Sequence, residues 1–124
     1  MQNKIYQRHG LKKKIGIRKR SKTKTILVRH SDTPNKMDIK PEQILEQNSQ
    51  DGILGFADHF IITIDGKVYA GRDVDVYGFT VSILMIGRNY FTQHQIDSVK
   101  KLITDLKEKY GSLGIQNKTT ITKL

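Results

Sequence analysis

Apolar residues fall in short runs through the middle of the chain, and this spacing predicts β-strands. Residues 25–30 read TILVRH and predict a short buried strand. Residues 59–72 hold two β-rich runs separated by Asp65-Gly66, a pair that favours a two-residue hairpin turn in which both central residues have positive φ. Residues 81–87 are nearly all apolar, which predicts a central strand that is covered on both faces.

Two further segments have the features of helices. Residues 40–50 predict a helix with Pro41 in its first turn. Proline is well suited to that position, because a backbone N–H in the first turn has no hydrogen-bond partner within the helix. Residues 93–110 follow Thr92, an N-cap type, and end before Gly111. Their apolar residues form one stripe at spacings of three and four: Ile96, Val99, Leu102, Ile103 and Leu106. The order β-α-β-β-β-α predicts an α/β fold, a mixed β-sheet flanked by helices. Whether the residues after Ile115 join the sheet is left open.

Length and composition narrow the class of protein. A chain of 124 residues predicts one domain with a modest core. It holds no Cys, which excludes disulfides, thiolate zinc sites and a cysteine nucleophile. No apolar run is long enough for a membrane span, and the basic N-terminus lacks the apolar stretch of a signal peptide.

The positive charge is concentrated at the N-terminus. The net charge is +10, and residues 1–24 carry basic residues with no acidic one. We therefore expect a basic extended arm over residues 1–24 and a neutral domain over residues 25–124. The arm is either a solvated tail or a segment that becomes ordered on an acidic protein surface or a nucleic acid, the latter without base specificity. The candidate binding residues of the arm are Lys4, Arg8, Lys12, Lys13, Lys14, Arg18, Lys19, Arg20, Lys22 and Lys24.

Four segments together resemble a known family. Residues 26–33 read ILVRHSDT, residues 59–73 read HFIITIDGKVYAGRD, residues 82–87 read SILMIG, and residues 91–110 open with FTQHQ. In this order they resemble the zinc-dependent N-acetylmuramoyl-L-alanine amidases of phage-lysozyme type, which share a fold with peptidoglycan recognition proteins. The hairpin is the most specific part of the resemblance. It implies an amidase-like sheet, truncated here, with no counterpart for the arm.

The zinc ligands that the resemblance implies are not matched. The family has a His at the end of its first strand, and Arg29 stands at that position. His30 comes one residue later, so its side chain points to the opposite face of the strand unless a bulge re-aims it. His30 is the single histidine that we consider as a ligand. The second ligand position falls near Gln116 or Asn117, and the third lies beyond the last residue.

Other positions also depart from the family. The helper tyrosine is replaced by Asp58, and the acid on the third strand is replaced by Leu84. His59 in the hairpin is expected to be a packed structural histidine, and His94 a surface residue. Asp73 and Asp75 could form a carboxylate pair for acid–base chemistry, but their alternating setting favours a solvated strand edge.

These departures predict a degenerate family member that is not an enzyme and needs no cofactor. The leading functional hypothesis is a structural component of a phage tail or baseplate, whose basic arm docks on acidic neighbouring subunits. The alternatives are a regulator that binds RNA polymerase, a non-hydrolytic peptidoglycan binder and, less favoured, an active zinc amidase. The expected location is the phage virion or the host cytoplasm.

Overall fold

The fold is a six-stranded sheet with two helices. The computed structural model describes residues 6–8, 23–73 and 80–124. The strands are β1 (Tyr6–Arg8), β2 (Thr25–His30), β3 (Phe60–Ile62), β4 (Val68–Ala70), β5 (Thr80–Met85) and β6 (Gly114–Asn117). The helices are α1 (Pro41–Gln50) and α2 (Gln93–Tyr110). In this described part of the chain, neither helix is long and apolar enough to cross a membrane.

The sheet is mixed, as the sequence predicts. Its strand order is β1-β4-β3-β5-β2-β6. Only β3 and β4 are antiparallel, and the other described pairs are parallel. β5 and β2 lie inside the sheet, which explains the nearly continuous apolar sequence of β5. The predicted α/β class with helices against one mixed sheet is therefore confirmed.

Two edge strands extend the predicted sheet. β6 pairs in parallel with β2, so the residues around Ile115 do join the sheet. β1 pairs in parallel with β4, and three residues of the predicted basic arm are thus part of the sheet. Residues 1–5 and 9–22 lie outside the described residues, so the domain boundary at residue 24 stays a prediction.

Each face of the sheet has its own apolar core. On one face the stripe of α2 packs against β2, β3 and β5, with Ile26, Val28, Ile83 and Met85 fully buried. On the other face Ile44 of α1 packs with Phe56, Ile61, Leu84 and Ile86. Successive residues of a strand alternate between these two cores, so a shift of one residue would exchange them.

The hairpin between β3 and β4 differs from the predicted turn. Gly66 has a φ of 84°, but Asp65 is not among the residues with positive φ. The backbone N–H of Gly66 donates to Thr63 O at 2.8 Å, and that of Thr63 donates to Lys67 O at 3.1 Å. The loop therefore has three residues and ends on a left-handed glycine, instead of the predicted pair with positive φ. Asp65 turns its carboxylate inward, where it accepts from Thr63 Oγ1 at 2.6 Å.

The start of α2 is anchored by its cap and by a buried amide. Thr92 Oγ1 accepts from the Gln95 backbone N–H at 3.1 Å, which confirms the predicted N-cap. Gln95 is buried, and its Nε2 donates to Ile62 O at 3.2 Å and to Ile86 O at 2.9 Å. These bonds join the helix to the ends of β3 and β5.

Candidate functional site

A bidentate ion pair joins β2 to the segment that precedes β3. Arg29 pairs in register with Leu84, a member of the α1-side core, so Arg29 lies on the face of the sheet that carries α1. Its Nε donates to Asp58 Oδ1 at 2.8 Å, and its Nη2 donates to Asp58 Oδ2 at 2.7 Å. The Asp58 side chain is 2% exposed and that of Arg29 is 39% exposed. The pair therefore has a buried negative end and a positive end that reaches solvent.

Asp58 is held from several directions. Ser82 Oγ of β5 donates a hydrogen bond to Asp58 Oδ1. Asn48 of α1 accepts from the Ala57 backbone N–H at 2.9 Å. The backbone N–H of Arg72 donates to Asp58 O at 2.8 Å. A Cβ on Gly71 would lie 2.5 Å from that same oxygen, so only glycine allows this approach. Burial of the carboxylate is thus compensated by hydrogen bonds from two side chains.

The charge of Arg29 is reinforced by its partner. The hydrogen bonds to the Asp58 carboxylate raise the pKa of Arg29 above its ordinary value, and the partial burial of the guanidinium opposes this. The side chain is therefore a fixed cation at every working pH.

His30 lies on the opposite face from Arg29. It pairs in register with Met85, a member of the α2-side core, and the register of β2 with β5 runs without a bulge from residue 25 to residue 30. Its Nδ1 accepts from the Asp32 backbone N–H at 3.1 Å. Successive strand positions therefore keep Arg29 and His30 apart.

The other two departures from the family pattern have structural roles. Leu84 is buried in the α1-side core beside Ile61. Asn117 ends β6, where its Nδ2 donates to Ile121 O at 2.6 Å and its Oδ1 accepts from the Thr119 backbone N–H at 2.9 Å. The amide of Asn117 is thus used to shape the turn after β6.

The remaining candidate residues are dispersed. His59 is buried and its Nδ1 accepts from the Ser82 backbone N–H at 3.0 Å, which confirms its structural assignment. His94 is exposed at the start of α2, as predicted. Asp75 lies outside the described residues. Of the arm residues, Arg8 lies in β1 and Lys24 directly precedes β2, and the others lie outside the described residues.

The residues at the Arg29 position do not fit a zinc ion. Zinc sites use His, Cys, Asp or Glu donors with a free lone pair, and a guanidinium offers only hydrogen-bond donors. Among the described residues, Asp58 is the carboxylate in contact with Arg29, and it already accepts three side-chain hydrogen bonds. No group of three His, Cys, Asp or Glu residues in the described part of the chain could hold a metal ion. We therefore derive no chemical step through a metal.

Sequence reasoning missed a polar cluster between two loops, here called the Asn35 clamp. Asn35 Oδ1 accepts from the backbone N–H groups of Arg88, Asn89 and Tyr90 at 3.0–3.2 Å. Asn35 Nδ2 donates to Asn89 Oδ1 at 2.6 Å. An asparagine in a polar loop carries no sequence signal that would point to partners more than fifty residues away.

Solved structures define the class of fold. The chain superimposes on the N-acetylmuramoyl-L-alanine amidase LysC from Clostridium intestinale with a TM-score of 0.76 and 23% identity, covering 90% of this chain and 80% of that one. It also superimposes on a complex of the peptidoglycan recognition proteins LCa and LCx bound to tracheal cytotoxin, with a TM-score of 0.72, 14% identity, and coverage of 90% and 82%. The protein thus has the fold shared by amidases and peptidoglycan recognition proteins.

A sequence relative defines the family. The chain is 31% identical to the endolysin of Klebsiella phage KP32 over 113 residues, which is 78% of this chain and 75% of the relative. No protein-family model matches the sequence. The chain belongs to the phage endolysin family, of amidase and peptidoglycan-recognition type.

The relatives correct two predictions. The sequence-based hypothesis of a tail or baseplate component is wrong, since two relatives are named endolysins and a solved structure of the same fold is named an amidase. The prediction that the protein is not an enzyme is contradicted by the same names. Both predictions rest on a few departures from the family pattern, at the ligand positions, at Asp58 and at Leu84, together with the concentrated charge of the arm, and similarity over most of the chain weighs more than these features. The comparisons also give no support to partners among assembly subunits or nucleic acids.

Proposed function

We propose that this protein binds peptidoglycan and takes part in its hydrolysis. The observation that carries the proposal is the similarity to an endolysin along three quarters of that protein's length. An N-acetylmuramoyl-L-alanine amidase and peptidoglycan recognition proteins on the same fold support peptidoglycan as the ligand.

The site contributes most clearly to binding. Arg29 presents a fixed positive charge on the α1 face, and Ser82 Oγ donates to the same carboxylate that holds it. Peptide stems of peptidoglycan carry free carboxylates and amide carbonyls, which are the groups that a guanidinium recognises. The bond that the family relatives suggest for cleavage is the amide between the sugar and the first residue of the stem. Its hydrolysis adds water and yields a carboxylic acid and a free amine.

The test uses purified full-length protein and purified peptidoglycan sacculi. We expect the protein to sediment with sacculi at about 0.15 M salt and to remain bound at several times that concentration. An attraction due only to the net charge of +10 would be screened over this range. We also expect new free amino groups to appear in the soluble fraction without new reducing sugar ends.

The outcomes separate the two parts of the proposal. Binding with release of amino groups supports amide hydrolysis. Release of reducing ends would show that a glycosidic bond is cleaved instead and would overturn the choice of bond. Failure to bind sacculi at any salt concentration would overturn the proposed function as a whole. A basic protein of matched charge and unrelated fold serves as the control for non-specific adhesion.

A further inference from the structure

The guanidinium of Arg29 has two edges, and Asp58 uses one of them. A guanidinium carries five N–H donors in a planar fork, so it can bind one carboxylate through Nε and Nη2 and another through Nη1 and Nη2. Asp58 takes the first edge. In the described part of the chain no hydrogen bond or ion pair engages the second edge. The side chain is 39% exposed, which gives that edge access to solvent.

The position of this edge is fixed before any ligand arrives. Asp58 is 2% exposed and is held by Ser82 Oγ in β5. If Arg29 rotated away, a buried carboxylate would lose its compensating charge, which is unfavourable. The guanidinium therefore loses little conformational freedom when it binds a further group, and this favours affinity.

The charge balance determines the class of ligand. Asp58 neutralises the buried side of Arg29, and its carboxylate already accepts three hydrogen bonds. The outer edge presents only donors, so it can accept neither a cation nor a metal ion. A planar group with two acceptor oxygens fits this edge in the bidentate manner.

From this geometry we infer that the outer edge of Arg29 binds a carboxylate of the peptidoglycan peptide stem, without a metal ion. The inference rests on the proposed function, because peptidoglycan supplies the carboxylate. It places a guanidinium held by Asp58 at the position where the amidase resemblance has a zinc ligand. The carboxylate site is thus a property of this chain, and not one transferred from the zinc-dependent family.

The test compares paired variants that preserve the net charge. In the first, Arg29→Gln is combined with Asp58→Asn, so no buried charge is left unpaired. In the matched control, Arg88→Gln is combined with Asp32→Asn, which removes an exposed ion pair with an Nε–Oδ1 distance of 2.8 Å. Binding of each protein to native sacculi, and to sacculi whose carboxylates have been amidated, is measured by sedimentation with and without EDTA. Circular dichroism and thermal unfolding verify that each variant is folded.

We expect the Arg29/Asp58 variant to bind native sacculi at least about tenfold more weakly than wild type, because charged hydrogen bonds are lost. The control variant should bind like wild type, and EDTA should change neither value. On amidated sacculi, wild type and the Arg29/Asp58 variant should bind alike. Unchanged binding by the folded Arg29/Asp58 variant, or loss of wild-type binding in EDTA, would overturn the inference and leave the proposed function standing. Absence of wild-type binding to native sacculi would overturn both.

Discussion

The carboxylate of Asp58 is buried among three side-chain hydrogen bonds, two from Arg29 and one from Ser82. Such a group depends on its partners, since an ionised carboxylate without compensation is strongly disfavoured in the interior. The arginine depends less on the pair, because 39% of its side chain is exposed to water. The two halves of the ion pair are therefore not equivalent in their effect on stability.

This asymmetry gives a prediction at the residue scale. Arg29→Gln alone should lower the free energy of unfolding by about 2 kcal/mol, because it leaves Asp58 buried without its cation. Arg29→Gln combined with Asp58→Asn should lower it less than the single substitution. Urea unfolding of the wild type and both variants at neutral pH measures the difference. A double variant less stable than Arg29→Gln would show that the pair itself, and not the orphaned charge, governs stability.

Asp65 in the hairpin loop gives a second prediction at this scale. The hydrogen bond from Thr63 Oγ1 and that from the Lys67 backbone N–H lower the pKa of the Asp65 carboxyl below its ordinary value, and partial burial opposes this. A carboxyl whose pKa is lower in the folded state contributes stability above its unfolded pKa, and this contribution is lost as the pH falls through the folded pKa. The free energy difference between wild type and Asp65→Asn should therefore be larger at pH 6 than at pH 2.5.

Unfolding by urea at several pH values measures this difference. Asp51→Asn, in the loop after α1, is the matched control, since Asp51 is likewise an exposed loop carboxylate. If the free energy of unfolding differs between wild type and Asp65→Asn by the same amount at both pH values, the result would contradict the conclusion that these hydrogen bonds stabilise the ionised carboxylate.

At the scale of the element, the helices and inner strands follow from sequence because their apolar spacing is strong. The apolar stripe of α2 predicts that one face of the helix is buried, and the apolar run of β5 predicts that both faces of the strand are buried. β1 and β6 carry little apolar signal, and both are defined by their pairing with strands that are distant in sequence. The prediction of a hairpin is confirmed, but the predicted turn type is wrong, since of Asp65 and Gly66 only Gly66 has a positive φ. The Asp65 carboxylate accepts a hydrogen bond from Thr63 within the loop, and the backbone of Asp65 does not adopt a positive φ.

Gln95 gives the prediction at this scale. It is 1% exposed, and its amide serves two carbonyls at the ends of β3 and β5 as well as the N-cap of α2. Gln95→Leu should destabilise the protein by about 2–3 kcal/mol, because it leaves buried carbonyl groups without donors. Thermal or urea unfolding measures the loss. Gln93→Leu, at an exposed position two residues earlier in the same helix, should change stability by about 0.5 kcal/mol or less. Equal effects of the two substitutions would show that the buried amide has no special role.

At the scale of the whole molecule, sequence reasoning identified the fold family and the positions Arg29 and Asp58, but not their contact. The two residues are 29 positions apart, and opposite charges at that separation carry no local signal of pairing. The same reasoning weighed the unmatched ligand positions too heavily against a similarity that runs through most of the chain. A charge pair inside a sheet face is defined only once the register of β2 with β5 is known.

A final prediction concerns the effect of zinc and of EDTA on the unfolding temperature of the whole protein. A ligand at one hundred times its dissociation constant stabilises a folded protein by about 2.7 kcal/mol. Because Arg29 and Asp58 are paired with each other and no group of three metal-binding side chains lies in the described part of the chain, we expect neither EDTA nor a twofold excess of zinc to shift the unfolding temperature by more than about 1 °C. Differential scanning calorimetry in the two buffers measures this. A rise of several degrees with zinc would show that the folded protein binds the metal and would contradict this prediction.

The Asn35 clamp couples two connections that are far apart in sequence. One amide oxygen accepts from three consecutive backbone N–H groups of residues 88–90, and Ser31 Oγ accepts from the Gly87 backbone N–H at 3.0 Å. A residue inserted before Asn35 would withdraw the acceptor from all three donors at once. An insertion in one of these connections therefore requires a compensating change in the other, and grafting either loop alone into another scaffold would leave it without its shape.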